Sequence, residues 1–154
     1  MKKNNEAVGE FLIDITSLLI VIITLGVFLW SLYQSAMIYG EHAKRLNIND
    51  EAYNLCRVFR SYEKILVKDE FGEPIEGVFN GSLVGNLTET DVTGEINSNY
   101  PFSISISDLE ENITWNYGDV KNAKEVAKVS AVICIDWGER VNIGKLIVAV
   151  WLEK

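Results

Sequence analysis

Apolar side chains dominate the stretch from Phe11 to Tyr39, where Asp14 is the one charged residue in 29. A hydrocarbon layer about 30 Å thick is crossed by roughly 20 apolar helical residues. The stretch is therefore long enough to span a bilayer as one helix. It is also too long for the 7–15-residue apolar region of a cleaved secretory signal. Residues 1–10, MKKNNEAVGE, form a short charged leader and the start of this helix.

Beyond residue 40 the periodicity changes. In residues 40–68, Tyr53, Leu55, Cys56, Val58, Phe59, Tyr62, Ile65 and Leu66 fall close to one helical stripe. This predicts an amphipathic helix starting near Glu51, with Asp50 or the competing Asn49 as its cap and a break or bend at Asn47–Asn49. Residues 69–154 read as a β-rich domain. Gly72, Pro74 and Gly77 punctuate a turn region, VFNGSLVG suggests a short strand and turn, and TETDVTGEINSNYP reads as loop. Strict alternation in FSISIS (102–107) and NITWN (112–116) predicts two paired strands, with DLEE as their turn. Val126–Trp137 and Lys145–Leu152 predict a final hairpin that forms the spine of the sheet. The expected fold is thus α+β: a long N-terminal transmembrane helix (11–39) followed by a small antiparallel sheet domain.

Charge sharpens this picture. The chain has 154 residues and a formal net charge of −8, nearly all of it after residue 40. Such a domain is repelled by nucleic acid, so no nucleic-acid partner is expected. Between Lys68 and Lys121 there is no Lys or Arg, while eleven Asp and Glu residues occur. No Asp-x-Asp calcium loop lies among them, and the block reads as a solvated face. Lys2 and Lys3 favour a cytoplasmic N-terminus, although Lys44 and Arg45 reduce the asymmetry.

Catalytic chemistry finds no foothold. His42 is the single histidine, and the cysteines are not spaced for zinc. There is no phosphate loop or nucleophile elbow. No catalytic residue, metal or cofactor is expected, and the chain reads as a non-enzyme. Cys56 and Cys134 permit one disulfide in an exported domain, or two separate thiols. Asn80, Asn86 and Asn112 each open an Asn-x-Ser/Thr acceptor sequence for glycan, which also suits an exterior domain.

Glu10 and Asp14 lie four apart, on one helix face, at the mouth of the apolar run. A carboxylate at this depth requires a headgroup, a proton or a cationic partner. A basic leader, a Glu just before a long apolar helix, and a β-rich exported domain together resemble archaeal type IV pilin-like proteins of the class III signal peptide group. The resemblance covers residues 1–40. It implies that a prepilin-type peptidase cuts between Asn5 and Glu6, which makes Glu10 the fifth mature residue. A cut after Gly9 would give that place to Asp14. It further implies a surface filament whose subunits are copies of this chain or related subunits. Glu10 or Asp14 would then set register by pairing with a neighbour's terminal amine. Thr16, Ser17, Thr24 and Gly26 would be close-approach positions between helices. The alternative is a permanently anchored single-pass surface protein, held in membrane lipid, that binds an envelope or membrane partner.

Overall fold

A computed structural model describes the backbone of residues 2–119 and 123–153, with side chains described from residue 15. It divides into two units, Met1–Ala43 and Lys44–Lys154. One helix, α1 (Lys2–Arg60), contributes to both.

In the first unit, α1 carries apolar side chains on every side. From Ile15 (43% exposed) to Tyr39 (77% exposed) no large apolar residue is buried. Two of its hydroxyls are satisfied internally. Thr24 Oγ1 donates to the Ile20 carbonyl at 2.7 Å, and Ser35 Oγ donates to the Ser31 carbonyl at 2.9 Å. A helix that turns its polar groups back on its own backbone is suited to an apolar solvent.

The second unit begins with the last turns of α1. Here Ile48, Ala52, Leu55, Cys56 and Phe59 are buried, at the spacing of one helical stripe. The bend expected at Asn47–Asn49 is absent. Asn and Asp are weak helix formers, but Ile48 is anchored in the core, and packing outweighs a few tenths of a kcal/mol of propensity per residue. The helix ends at Arg60, earlier than expected. Ser61 Oγ donates to the carbonyls of Arg57 and Val58, and Arg57 and Arg60 complement the negative helix end. Residues 66–68, expected to be helical, form a strand instead.

The sheet has six strands in the order β1-β2-β5-β6-β3-β4. These are β1 (Leu66–Lys68), β2 (Pro74–Asn80), β3 (Phe102–Asp108), β4 (Ile113–Tyr117), β5 (Ala123–Asp136) and β6 (Val141–Glu153). The β5–β6 hairpin pairs from Ala123↔Glu153 to Asp136↔Val141 and occupies the centre, as its pattern predicts. β3 pairs antiparallel with both β4 and β6. One pairing departs from the antiparallel expectation. β2 lies parallel to β5, from Val78↔Cys134 to Asn80↔Asp136, so the sheet is mixed. The link from β2 to β5 runs through two short helices and the β3–β4 hairpin, a crossover with no local sequence signature.

Those helices are α2 (Gly81–Asn86) and α3 (Glu89–Glu95), in segments that read as turn and loop. Asn80 caps α2 by accepting from Leu83 N at 3.1 Å. Thr88 and Asp91 cap α3 reciprocally, side chain to backbone in each direction.

Alternation along β5 and β6 puts Ala127, Ile133, Ile135, Leu146, Val148 and Val150 in the core that the α1 stripe completes. Phe59 meets Phe79 edge to face at 6.0 Å and stacks on Tyr62 at 5.5 Å. The Phe59→Ala variant is expected to lose about 3–5 kcal/mol of stability in urea unfolding of the full chain in detergent micelles. The exposed Val58, one residue away on the helix, should change stability by only about 0.5 kcal/mol when replaced by Ala.

Candidate functional site

Three regions carry groups with chemical or binding capacity: a polar knot at the β3–β4 turn, the accessible asparagines, and the two cysteines with their surroundings.

Ile104, Ile106 and Asp108 share one face of β3, so the strand's alternation drives a carboxylate into the core. Asp108 is 1% exposed. Its Oδ1 accepts from the backbone N–H groups of Glu110 (2.9 Å) and Glu111 (3.0 Å). Its Oδ2 accepts from Trp137 Nε1 and Asn142 Nδ2, both at 2.9 Å. Burial alone would raise the carboxyl. The Glu111 N–H, the Trp137 indole, the Asn142 amide and the Glu110 N–H together hold it below the ordinary carboxylate value. Trp137 in turn lies against Gly81, where an added Cβ would sit 2.7 Å from the indole. One carboxylate therefore fastens the β3–β4 turn to the β5–β6 turn. Every lone pair is engaged, so the group is structural. Its burial was readable from FSISISD, where Asp108 continues the parity of Ile104 and Ile106.

The three glycan acceptors differ. Asn80 is half-buried, and its side-chain oxygen caps α2. Asn86 and Asn112 are exposed. Asn112 sits in the left-handed region (φ 56°) in the turn between β3 and β4.

The candidate disulfide is not formed: Cys56 and Cys134 are free thiols. Cys56 is on the α1 stripe, facing the side of β5 that carries Ile133 and Ile135. Cys134 falls between those two residues, so its side chain leaves the sheet on the opposite face. Burial pushes the Cys56 thiol up, and Arg60 nearby partly opposes this.

The side chains of Asn5, Glu6, Glu10 and Asp14 lie outside the described residues. Of the close-approach positions, Thr24 is turned to its own backbone, and Gly26 has nothing within 4 Å of where a Cβ would stand. Among the described residues no group of three His, Cys, Asp or Glu side chains could hold a metal ion. A cavity of about 280 Å³ lies between the end of α1, β2 and β5, lined by Tyr53, Cys56, Arg57, Arg60, Glu76, Val129, Ser130 and Ala131. It was not visible in the sequence, because its walls are some 70 residues apart along the chain. Comparison with protein-family models, curated proteins and solved structures finds no match.

Two outcomes are expected. The folded-state pKa of Asp108 is depressed, so folding favours its ionised form. That stabilisation is present above the usual carboxylate value near pH ~4 and is lost as pH falls through the lower folded value. Asp108→Ala, which strands two side-chain and two backbone donors, should cost about 3 kcal/mol at neutral pH in chemical unfolding. Its acid limb should also be flatter than that of the wild type. In an exported, glycosylating host, intact mass should show glycan lost in Asn86→Gln and in Asn112→Gln. Asn80→Ala should leave the glycan mass unchanged and cost about 1 kcal/mol through its cap.

Proposed function

We propose that this chain is a pilin-like structural subunit of a cell-surface filament, with the apolar part of α1 in the filament core and the β domain outside. The observation that carries the reading is the uncovered helix. Among the described residues, the large apolar side chains from Ile15 to Tyr39 find no partner layer within the chain. The helix is long and apolar enough to cross a membrane, which makes the chain compatible with a single-pass membrane protein. A subunit stored in the bilayer exchanges lipid contacts for contacts with copies of itself on assembly. Gly26, with open space around it, offers a place for close helix approach. The exposed Asn86 and Asn112 suit an exterior domain.

In this reading a prepilin-type peptidase removes the leader after Asn5, and Glu10 neutralises the terminal amine of a neighbouring subunit. Intact mass and N-terminal sequencing of protein from native membranes test it. A start at Glu6 or Glu10 is expected, together with pelletable filaments. Glu10→Ala should leave the protein expressed and membrane-bound while reducing filament yield at least tenfold. A start at Met1 or Lys2 with no filaments would overturn the reading in favour of a permanent anchor. Unchanged assembly of Glu10→Ala would remove the register role.

A further inference from the structure

The β1–β2 hairpin ends in a turn that holds one aromatic ring out in solvent. Phe71 is 88% exposed. The turn beneath it is firmly made. Asp69 Oδ1 accepts from Phe71 N and Glu73 N, both at 2.9 Å. Asp69 N donates to the Glu73 carbonyl at 2.8 Å, and Gly72 takes the positive φ of 84° that closes the loop. A ring displayed on a rigid turn has already lost most of the freedom that binding would take from it. Glu70 and Glu73 flank it, and neither has an ion-pair partner among the described residues.

The cavity beside the end of α1 has the opposite character. Tyr53, Cys56, Val129 and Ala131 supply its apolar lining, and Arg57, Arg60, Glu76 and Ser130 its polar groups. Arg57 is exposed and has no ion-pair partner among the described residues. Arg60 reaches Glu76 only at 3.9 Å, and its buried Nε has no hydrogen-bond partner. At about 280 Å³ the cavity falls at the bottom of the size range of small-molecule sites, which suits a single side chain.

We infer that Phe71 of one copy enters the cavity of a second copy, with Glu70 and Glu73 meeting Arg57 and Arg60 of its lining. The inference rests on the filament reading and supplies a contact between neighbouring outer domains. The occupant is a second copy because one chain carries both complementary parts: an aromatic knob flanked by Glu70 and Glu73, and a hole whose lining holds two arginines against the single acid Glu76, with Arg57 lacking an ion-pair partner among the described residues. Anionic lipid is disfavoured as the knob's partner by the same acids. Knob and hole are made of different residues, so the contact is head-to-tail. Each copy accepts one neighbour and is accepted by another, which propagates into a ring or a helical filament rather than stopping at a two-fold dimer.

The test uses the full chain in its membrane or filament, with a photoreactive benzophenone side chain in place of Phe71. Irradiation should give a ladder of dimers, trimers and higher adducts. Peptide mapping should place the second attachment within Tyr53–Arg60 or Val129–Ala131. Arg57→Glu should lower adduct yield at least fivefold, and adding Glu70→Arg should restore it. The Arg57 side chain is exposed and makes no ion pair among the described residues, so its variant gives up only charge complementarity at the helix end and retains the fold, which the circular dichroism of the variant checks. Pelletable filaments without adducts, adducts mapping elsewhere, or a yield indifferent to Arg57→Glu would each overturn the knob-and-hole contact while leaving the filament reading in place. An unprocessed leader with no filaments would overturn the filament reading beneath it.

Discussion

A sheet of this size has one face to hide, and the last turns of α1 are a large part of what hides it. Ile48, Ala52, Leu55 and Phe59 are between 0% and 3% exposed, and they fill the space over β5 and β6. Side chains of this kind each contribute roughly 1.5–3 kcal/mol on burial, Ala52 less. Marginal domains have only about 5–15 kcal/mol in total. The Lys44–Lys154 unit therefore depends on a helix that also belongs to the apolar unit before it. The two halves of that helix obey different rules. From residue 15 to 39 it is apolar all round, and from 48 to 59 it has one apolar stripe.

That division was readable in the sequence because each rule leaves a strong periodic trace. The all-round apolar run, the Leu55, Cys56 and Phe59 part of the stripe, the alternation of FSISIS and the final hairpin all correspond to elements of the structure. Ile48 and Ala52 extend the stripe beyond the residues that the sequence pattern predicts. Tyr53 and Val58 were grouped with the stripe but lie off it, at 70% and 42% exposed. Hydrophobic identity alone does not tell which face a residue occupies.

The failures share a cause. The bend at Asn47–Asn49 was inferred from weak propensity, and Ile48 in the core overrode it. The parallel β2–β5 pairing and the cavity at Val129–Ala131 both join residues distant in sequence, where no periodicity operates. The disulfide assumed that two cysteines in one domain could meet, but their parity across β5 sets them on opposite faces. α2 and α3 are different. Asn80 and the Thr88–Asp91 box are local signals that stood in the sequence, masked by the short length of the helices they start.

The long acidic block also acquires a physical explanation. Glu76 pairs with Arg60, Glu95 with Lys64, and Glu111 with Arg140. In each case an acid from within 69–119 reaches a cation from outside it. Exposed pairs contribute only about 0–1 kcal/mol each, so stability does not explain the segregation. Their effect is on layout. Pairing consumes charge where the block folds against the rest of the domain. It leaves Glu70 and Glu73 at the hairpin tip and Arg57 at the helix end without an ion-pair partner among the described residues. In the proposed filament, charges of opposite sign left over at separate places favour one relative direction between copies. Unlike-charge attraction sets register and the rate of encounter more than raw affinity. In the proposed filament, affinity can come from the apolar helix, and the outer charges have only to choose the neighbour's orientation.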